Sequence, residues 1–321
     1  MPSFESPSEE RLEAPPLIGA RLGLAALGRV LEAHRNWIES RPNGQRASLE
    51  GIVLAEAALD KANLERAYLK GANFIDARLS SANLSGAMLE WAEFGNATLM
   101  EADLSGADLT DAKLDLALLA VANLSETRLL RTSFRKANLR AARLQEADME
   151  QSDFREAVLK DAVLHQAKAF DCNFTAADLS GANLYHAGFR ACRLSGISGA
   201  GSKWSTATIL NCEFRGADLT SANFERADLR QTTFWRADLT GASLRGARLN
   251  GADLERADLS GAHFEEAGMM GANLRGANLR GAQGLNQAQL GQALTDSGTT
   301  LPNGMSGPFM LGSGAHRAGR F

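Results

Sequence analysis

The sequence predicts an all-β solenoid, one elongated body wound from short edges and closed by a small cap at each end. Three observations carry that expectation. Residues 45–284 repeat a five-residue unit of the form Ala-Asp/Asn-Leu-x-x 48 times without insertion or deletion. Each unit sets a large apolar residue two positions after a small one. Phenylalanines and cysteines recur at multiples of twenty residues. A fixed period overrides a domain count based on length, because each unit can bury its apolar face only against its neighbours.

The chain begins with a polar, proline-bearing stretch, and residues 1–18 are expected to be flexible. Within residues 19–44 the spacing predicts a helix from about Ala20 to Ser40: Leu24, Leu27, Leu31, His34 and Ile38 recur at three- and four-residue steps and would line one face. Arg41-Pro42-Asn43-Gly44 then ends it, since proline disfavours helical geometry in the residue before it and Asn-Gly favours a turn. A lid over the open end of the array is the first reading, because an exposed core end invites aggregation. A partner-docking helix or membrane-surface anchor is the second. The polar face mixes Arg29, Glu32, Arg35 and Glu39, whereas a membrane helix prefers a basic one.

Taking the third residue of each unit as its centre, 44 of the 48 centres are Leu, Phe, Met or Ile, and 38 of the 48 residues two places earlier are Ala. Two positions apart on extended backbone point the same way, so both face inward. The remaining positions face water. A glycine at the end of a unit, as in Leu104-Ser105-Gly106-Ala107, supplies the positive φ that a type II turn needs at its third residue.

Seven of the ten centre phenylalanines (Phe74, Phe94, Phe134, Phe154, Phe174, Phe214, Phe234) differ by multiples of twenty, as do Cys172, Cys192 and Cys212. Like side chains stacking in register would produce this, so four units make a coil and the array holds about twelve coils. At roughly 4.8 Å per coil the body would be about 55–60 Å long. Gly199 and Trp204 depart from the centre pattern and predict a loosened coil near residues 195–204; Ala169 is a second weak centre.

The array resembles the pentapeptide repeat family. That resemblance implies a right-handed quadrilateral β-helix, a geometry that periodicity alone does not fix.

After Gly284, Asn286 with Gln289 predicts a capping box and a short helix to about Leu294, with Leu290 and Leu294 closing the core. Residues 285–321 would thus form a short helix and a glycine-rich flexible tail, whose Phe309-Met310-Leu311 could dock on a partner or on the rod.

Several function classes are excluded by composition. A net charge of -4, near balance, argues against direct nucleic-acid binding by counterion release, which needs a clustered basic face. No run of about eighteen apolar residues marks a membrane span. The acidic N-terminal stretch does not resemble a secretory or transit signal, and three cysteines without metal-type spacing agree with a reducing compartment, so a cytoplasmic bacterial protein is expected. No nucleophile-base-orienter set is evident, and a core filled by Leu, Phe and Ala leaves no substrate cleft. The expectation is a protein with no catalytic residues, no cofactor and no metal.

Outward positions supply the candidate contacts. Glu90, Glu93, Glu101, Asp103, Asp108, Asp111 and Asp115 make an acidic band, and Arg128, Arg131, Arg135, Lys136, Arg140 and Arg143 a basic one. Between them Leu116, Leu118, Val121 and Leu130 occupy positions that normally face water, and contiguous exposed apolar area commonly marks a partner surface. Asp108, Arg128, Asp148 and Lys168 form a column of alternating sign, whereas Asp218, Asp238 and Asp258 form one of a single sign, with Arg236 and Arg256 beside it.

The function expected from these features is a non-catalytic protein-interaction rod or scaffold, binding another protein or a second copy of itself. The resemblance implies an alternative, because some pentapeptide repeat proteins mimic duplex DNA and bind DNA gyrase. That role asks for a coherently acidic surface, and this array carries -5 over residues 45–164 but +1 over residues 165–284.

Overall fold

The computed structural model describes residues 19–317. Its organising feature is parallel pairing at a spacing of twenty: Ser48 pairs with Tyr68, Val53 with Asn73, Ala58 with Arg78 and Asn63 with Asn83, and so on to Gln283. Each coil therefore has four sides. Side one runs from Ser48 to Gly268, side two from Val53 to Asn273, side three from Ala58 to Asn278 and side four from Asn63 to Gln283.

One unit shows why the motif folds this way. In Ala82-Asn83-Leu84-Ser85-Gly86, Asn83 N–H donates to Ala62 O (2.9 Å), while Leu84 and Gly86 N–H donate to the next coil at Asp103 O and Ser105 O (2.6 and 2.8 Å). Ala82 N–H closes the preceding turn on Leu79 O at 3.0 Å. Only Ser85 N–H lacks a backbone partner, and it donates to Asn83 Oδ1 at 3.0 Å. The Asp/Asn of the motif is thus a backbone acceptor in side-chain form, and it recurs in Asn63, Asp103, Asp108, Asn173, Asp218, Asp238 and Asp258 among others.

The second turn residue has positive φ at every unit from Gly51 to Gly281, although only fifteen of those 47 positions are glycine. The turn imposes the conformation and glycine merely relieves it. Trp91 (φ 57°), Leu116 (63°), Val121 (63°) and Thr206 (58°) adopt it as well. A β-branched residue there is sterically costly.

Formal strands are fewer than the repeat suggests. Among the described residues, three-residue strands occur only at Asp148–Glu150 (β1), Lys168–Phe170 (β2), Gly188–Arg190 (β3) and Thr208–Leu210 (β4), stacked in parallel register on side one. The reason lies in the inward small position. With alanine there, the turn bond is short, as at Ala72 (3.0 Å) and Ala112 (2.9 Å); with Ile52, Thr132, Ile197 or Thr232 it stretches to 3.3–3.4 Å. After β1 to β4, where Ser152, Cys172, Cys192 and Cys212 follow, it is not formed. Extra atoms inside these corners push the turn open and extend the preceding edge, whereas Ser202, facing Gly199 in place of a large centre, keeps its turn bond at 3.1 Å. The buried groups remain satisfied across coils: Thr132 Oγ1 donates to Leu109 O (2.8 Å), Cys172 Sγ to Met149 O (2.9 Å) and Thr232 Oγ1 to Ile209 O (2.7 Å).

The core is a continuous column of buried Leu, Phe and Ala. Phe74 stacks on Phe94 (ring centroids 4.7 Å), and Phe134, Phe154 and Phe174 stack in succession (4.9 and 4.7 Å). The coil at residues 195–204 is not loosened. Ser198 pairs with Asp218 and Lys203 with Asn223. A side chain on Gly199 would meet Leu219 and Ile197, which already occupy that space. Trp204 is fully buried among Phe189, Phe214 and Phe224, with its Nε1 donating to Ser202 Oγ at 2.7 Å. The departure from the motif is a different packing solution with every register bond intact.

At the N-terminal end a helix, α1, spans Leu24–Ile38, shorter than the expected 20–40, and Arg21 pairs with Val53 on the first coil. Its inner face is narrower than the spacing implied. Leu27 and His34 are buried and Val30 and Leu31 pack against the core, but Leu24 is 86% exposed. His34 Nδ1 accepts from Ala47 N–H at 3.0 Å, and its ring stacks on Trp37. Residues 1–18, for which flexibility is expected, lie outside the described part, as do residues 318–321.

The C-terminal helix, α2, spans Gln287–Gln292 with the expected capping box between Asn286 and Gln289. Leu290 is buried, whereas the Leu294 side chain points outward and only its backbone pairs, with Asn273. The tail is not free over residues 296–317. Thr300 pairs with Asn278, Thr299 and Leu301 are buried, and Phe309 packs on the core while Met310 and Leu311 stay exposed.

Candidate interaction surface

Leu118 lies on side three, and Leu116 and Val121 occupy the turns that bound it, so these three share one stretch of a single coil. They are 42%, 51% and 54% exposed. Met100, in the turn after side three one coil earlier, and Val158 on side three two coils later are exposed as well. Leu130 does not join them. It sits in the turn between sides one and two, with the whole of side two between it and Leu116, and is only partly exposed. Spacing in the chain placed it near Leu118; the four-sided coil separates them.

Each of the three residues departs from what the coil asks of its position. Leu118 stands where Asp or Asn would accept the N–H two residues on. Leu116 and Val121 stand where glycine would relieve a positive φ.

The acidic band is not one surface. Asp108 is on side one, Glu93 on side two and Asp103 on side four; Glu90 and Asp111 are in turns after side one, Asp115 after side two and Glu101 after side three. Much of its charge is met by the basic residues one coil on: Lys113 with Glu93 at 3.0 Å, Arg128 with Asp108 at 3.7 Å, and Arg131 with Asp111 through two contacts at 2.7 and 2.6 Å. The Arg131 guanidinium holds the Asp111 carboxyl below its ordinary range. Asp115 accepts from the Arg135 backbone N–H at 3.1 Å and from the Ser133 hydroxyl. Asp103 binds Ser105 N–H and Asn123 Nδ2, and Glu101 accepts from Ser81 Oγ.

The two charge columns on sides one and three also resolve. Of the alternating column, only Asp108 and Arg128 come within ion-pair distance. Beside the single-sign column, Arg236 stacks on Trp235 (4.3 Å to the ring centroid) and Arg256 faces Glu255 (3.7 Å), so neither offsets the aspartates by direct contact. Asp218, Asp238 and Asp258 each spend one oxygen on the N–H two residues ahead, Thr220, Thr240 and Ser260. That use of the motif carboxylate was not read from the sequence, although the Asp/Asn preference was its signal.

Among the described residues, no group of three or more His, Cys, Asp or Glu is arranged to hold a metal ion. The three cysteines are free and buried; the neighbouring Cys192 sulfur and burial both push the Cys172 and Cys212 thiols up. Two surface hollows of about 120 and 190 Å³ lie one beneath α1 and one lined by Glu225, Arg226, Arg245 and Glu265. Small-molecule sites are commonly about 300–1,000 Å³.

Sequence comparison gives a family to this geometry. The profile described as pentapeptide repeats (8 copies) matches residues 47–86, 82–120, 117–155, 237–276 and 257–293, and that described as a pentapeptide repeat region matches residues 167–244. The chain belongs to the pentapeptide repeat family. Its coil is accordingly the family's right-handed β-helix. Among solved structures it is similar to HetL, a pentapeptide repeat protein involved in heterocyst differentiation regulation from the cyanobacterium Nostoc sp. (24% identity, 89% of this chain and 100% of that one, TM-score 0.44). It is also similar to a pentapeptide repeat protein from the Arabidopsis thaliana thylakoid lumen (29% identity, 33% and 63% covered, TM-score 0.22). A third is QnrB1, a plasmid-mediated fluoroquinolone resistance protein (18% identity, 77% and 92% covered, TM-score 0.19). No curated protein matches the chain.

Proposed function

We propose that this pentapeptide repeat protein is a non-catalytic interaction rod that binds another protein through side three, around Leu116, Leu118 and Val121. The observation that carries this is the joining of three exposed apolar side chains in one coil, one of them Val121, a β-branched residue at a positive-φ position. A non-glycine residue in a left-handed conformation costs about 1–2 kcal/mol, and an unmade backbone hydrogen bond about 1 kcal/mol or more. About half of each of these residues faces solvent, so they add little to the core. Local rules broken together at an exposed apolar site point to a use other than folding.

The gyrase-binding alternative stands second. A DNA-like partner surface needs carboxylates free to meet a basic groove, and here Glu93, Asp108 and Asp111 face Lys113, Arg128 and Arg131 of the next coil. Purified protein in a gyrase supercoiling assay, with and without a fluoroquinolone, separates the two readings. Neither inhibition nor protection is expected at micromolar protein. The rod reading is tested by affinity capture and crosslinking from the native cell: a partner crosslinked to side three should be lost from the Leu116→Ser, Leu118→Ser double variant. Retention of the same crosslinks by that variant would overturn the assignment of the surface.

A further inference from the structure

The turn after side four carries a cluster that neither folding nor the proposed interaction surface uses. His165 and Tyr185 occupy equivalent positions on successive coils and stack with ring centroids 5.4 Å apart. His186 follows Tyr185 in the chain and packs against its ring at 4.0 Å, which brings the two imidazoles to 6.2 Å between centroids.

The hydrogen bonds fix which nitrogen of each ring carries its proton. His165 Nδ1 lies 3.0 Å from Tyr185 O. A carbonyl only accepts, so His165 is the donor, its proton is on Nδ1 and the Nε2 lone pair is free. His186 Nδ1 lies 2.9 Å from Thr206 Oγ1, and that hydroxyl gives its single proton to Ser205 O at 2.5 Å. His186 must therefore donate to Thr206, which leaves its Nε2 lone pair free too. Two solvent-facing imidazoles are thus held as Nδ1–H tautomers by hydrogen bonds on the far side of the ring. That is the arrangement which orients histidines toward a metal.

We propose that His165 and His186 form a two-imidazole site for a late first-row divalent cation such as Ni²⁺, Cu²⁺ or Zn²⁺. A metal about 2.0–2.1 Å from each Nε2 at an angle of about 90–109° holds two ring centroids roughly 4.5–5.2 Å apart, so the rings, now 6.2 Å apart, close by about 1–2 Å on binding. Imidazole suits these cations, whereas the hard cations Mg²⁺ and Ca²⁺ prefer oxygen ligands. With only two protein ligands, the remaining positions are filled by water. Tyr185 serves as the wall that keeps both rings in place.

The test uses the full untagged chain, stripped with chelator and titrated with Ni²⁺ by calorimetry. One Ni²⁺ per chain is expected at micromolar affinity. His165→Ala and His186→Ala should each abolish that binding, His263→Ala should leave it unchanged, and Thr206→Val should weaken it about tenfold or more by releasing the tautomer. Unaltered circular dichroism melts would show that the variants fold. Absence of stoichiometric binding, or binding that survives both histidine variants, would overturn the site. Long-range ¹H–¹⁵N NMR on the metal-free protein supplies an independent reading: both rings should be protonated at Nδ1, and protonation at Nε2 in either would overturn the preorganisation.

Discussion

The coil that carries Leu116, Leu118 and Val121 and the coils near the C-terminal end are built on the same backbone but have solved the turn differently. From Gly241 to Gly281 most second turn residues are glycine, and Asp238, Asp253 and Asp258 accept the N–H two residues ahead. In the Leu118 coil, leucine and valine take the positive φ and the Asx acceptor is missing. The lesson is that the repeat prefers particular outward residues, although less strictly than it does its core. Departures on the surface can therefore be read as information about use.

The largest effect should come from the part both regions share. Phe154→Ala would open a hole in the stack of Phe134, Phe154 and Phe174 and is expected to cost about 3–5 kcal/mol in urea unfolding. A loss under 1 kcal/mol would mean the column is not the principal source of stability.

Exchanging turn residues between the two regions sharpens the contrast. Val121→Gly should raise stability by about 1 kcal/mol, and Gly261→Val, where φ is 67° and nothing would touch the added Cβ, should lower it by about the same amount. Equal and opposite shifts in the urea midpoint are the expected pattern; shifts of the same sign would refute the strain argument. Leu118→Asn should add a smaller gain, about 0.5–1.5 kcal/mol, by supplying an acceptor to Ala120 N–H.

The N-terminal cap should respond to pH through His34. Burial pushes the His34 imidazole below its ordinary 6.5, and the nearby Arg46 charge acts in the same direction. The unfolded chain then binds the proton more readily, so the neutral form's contribution is complete above pH 6.5 and is lost as pH falls below it. Hydrogen exchange in Leu24–Ile38 should accelerate between pH 7 and pH 5, and His34→Gln should remove most of that pH dependence. A flat profile in the wild-type chain would show that His34 does not couple the cap to pH.

The inward half of the structure was legible because it is written as a large and a small residue at a fixed interval, and the twenty-residue column of Phe74, Phe94 and Phe134 set the size of the coil. The outward half was harder to read. Asp218, Asp238 and Asp258 look like unfavourable like charges until the backbone N–H that each accepts is located. Trp204 and Gly199 look like damage to the motif until Leu219, Ile197 and the surrounding phenylalanines are seen to fill the space. Leu130 was grouped with Leu118 because closeness in sequence does not say which of four sides a turn residue occupies. The tautomers of His165 and His186 were not legible for a different reason, since they depend on the carbonyl of Tyr185 and the hydroxyl of Thr206.

The central claim, that side three keeps an unfavourable coil for the sake of binding, is tested most directly by one variant. Leu116→Gly, Leu118→Asn and Val121→Gly together should unfold at higher urea than the wild-type chain and should no longer capture the side-three partner. A variant that is less stable, or one that is more stable and still binds, would contradict the claim.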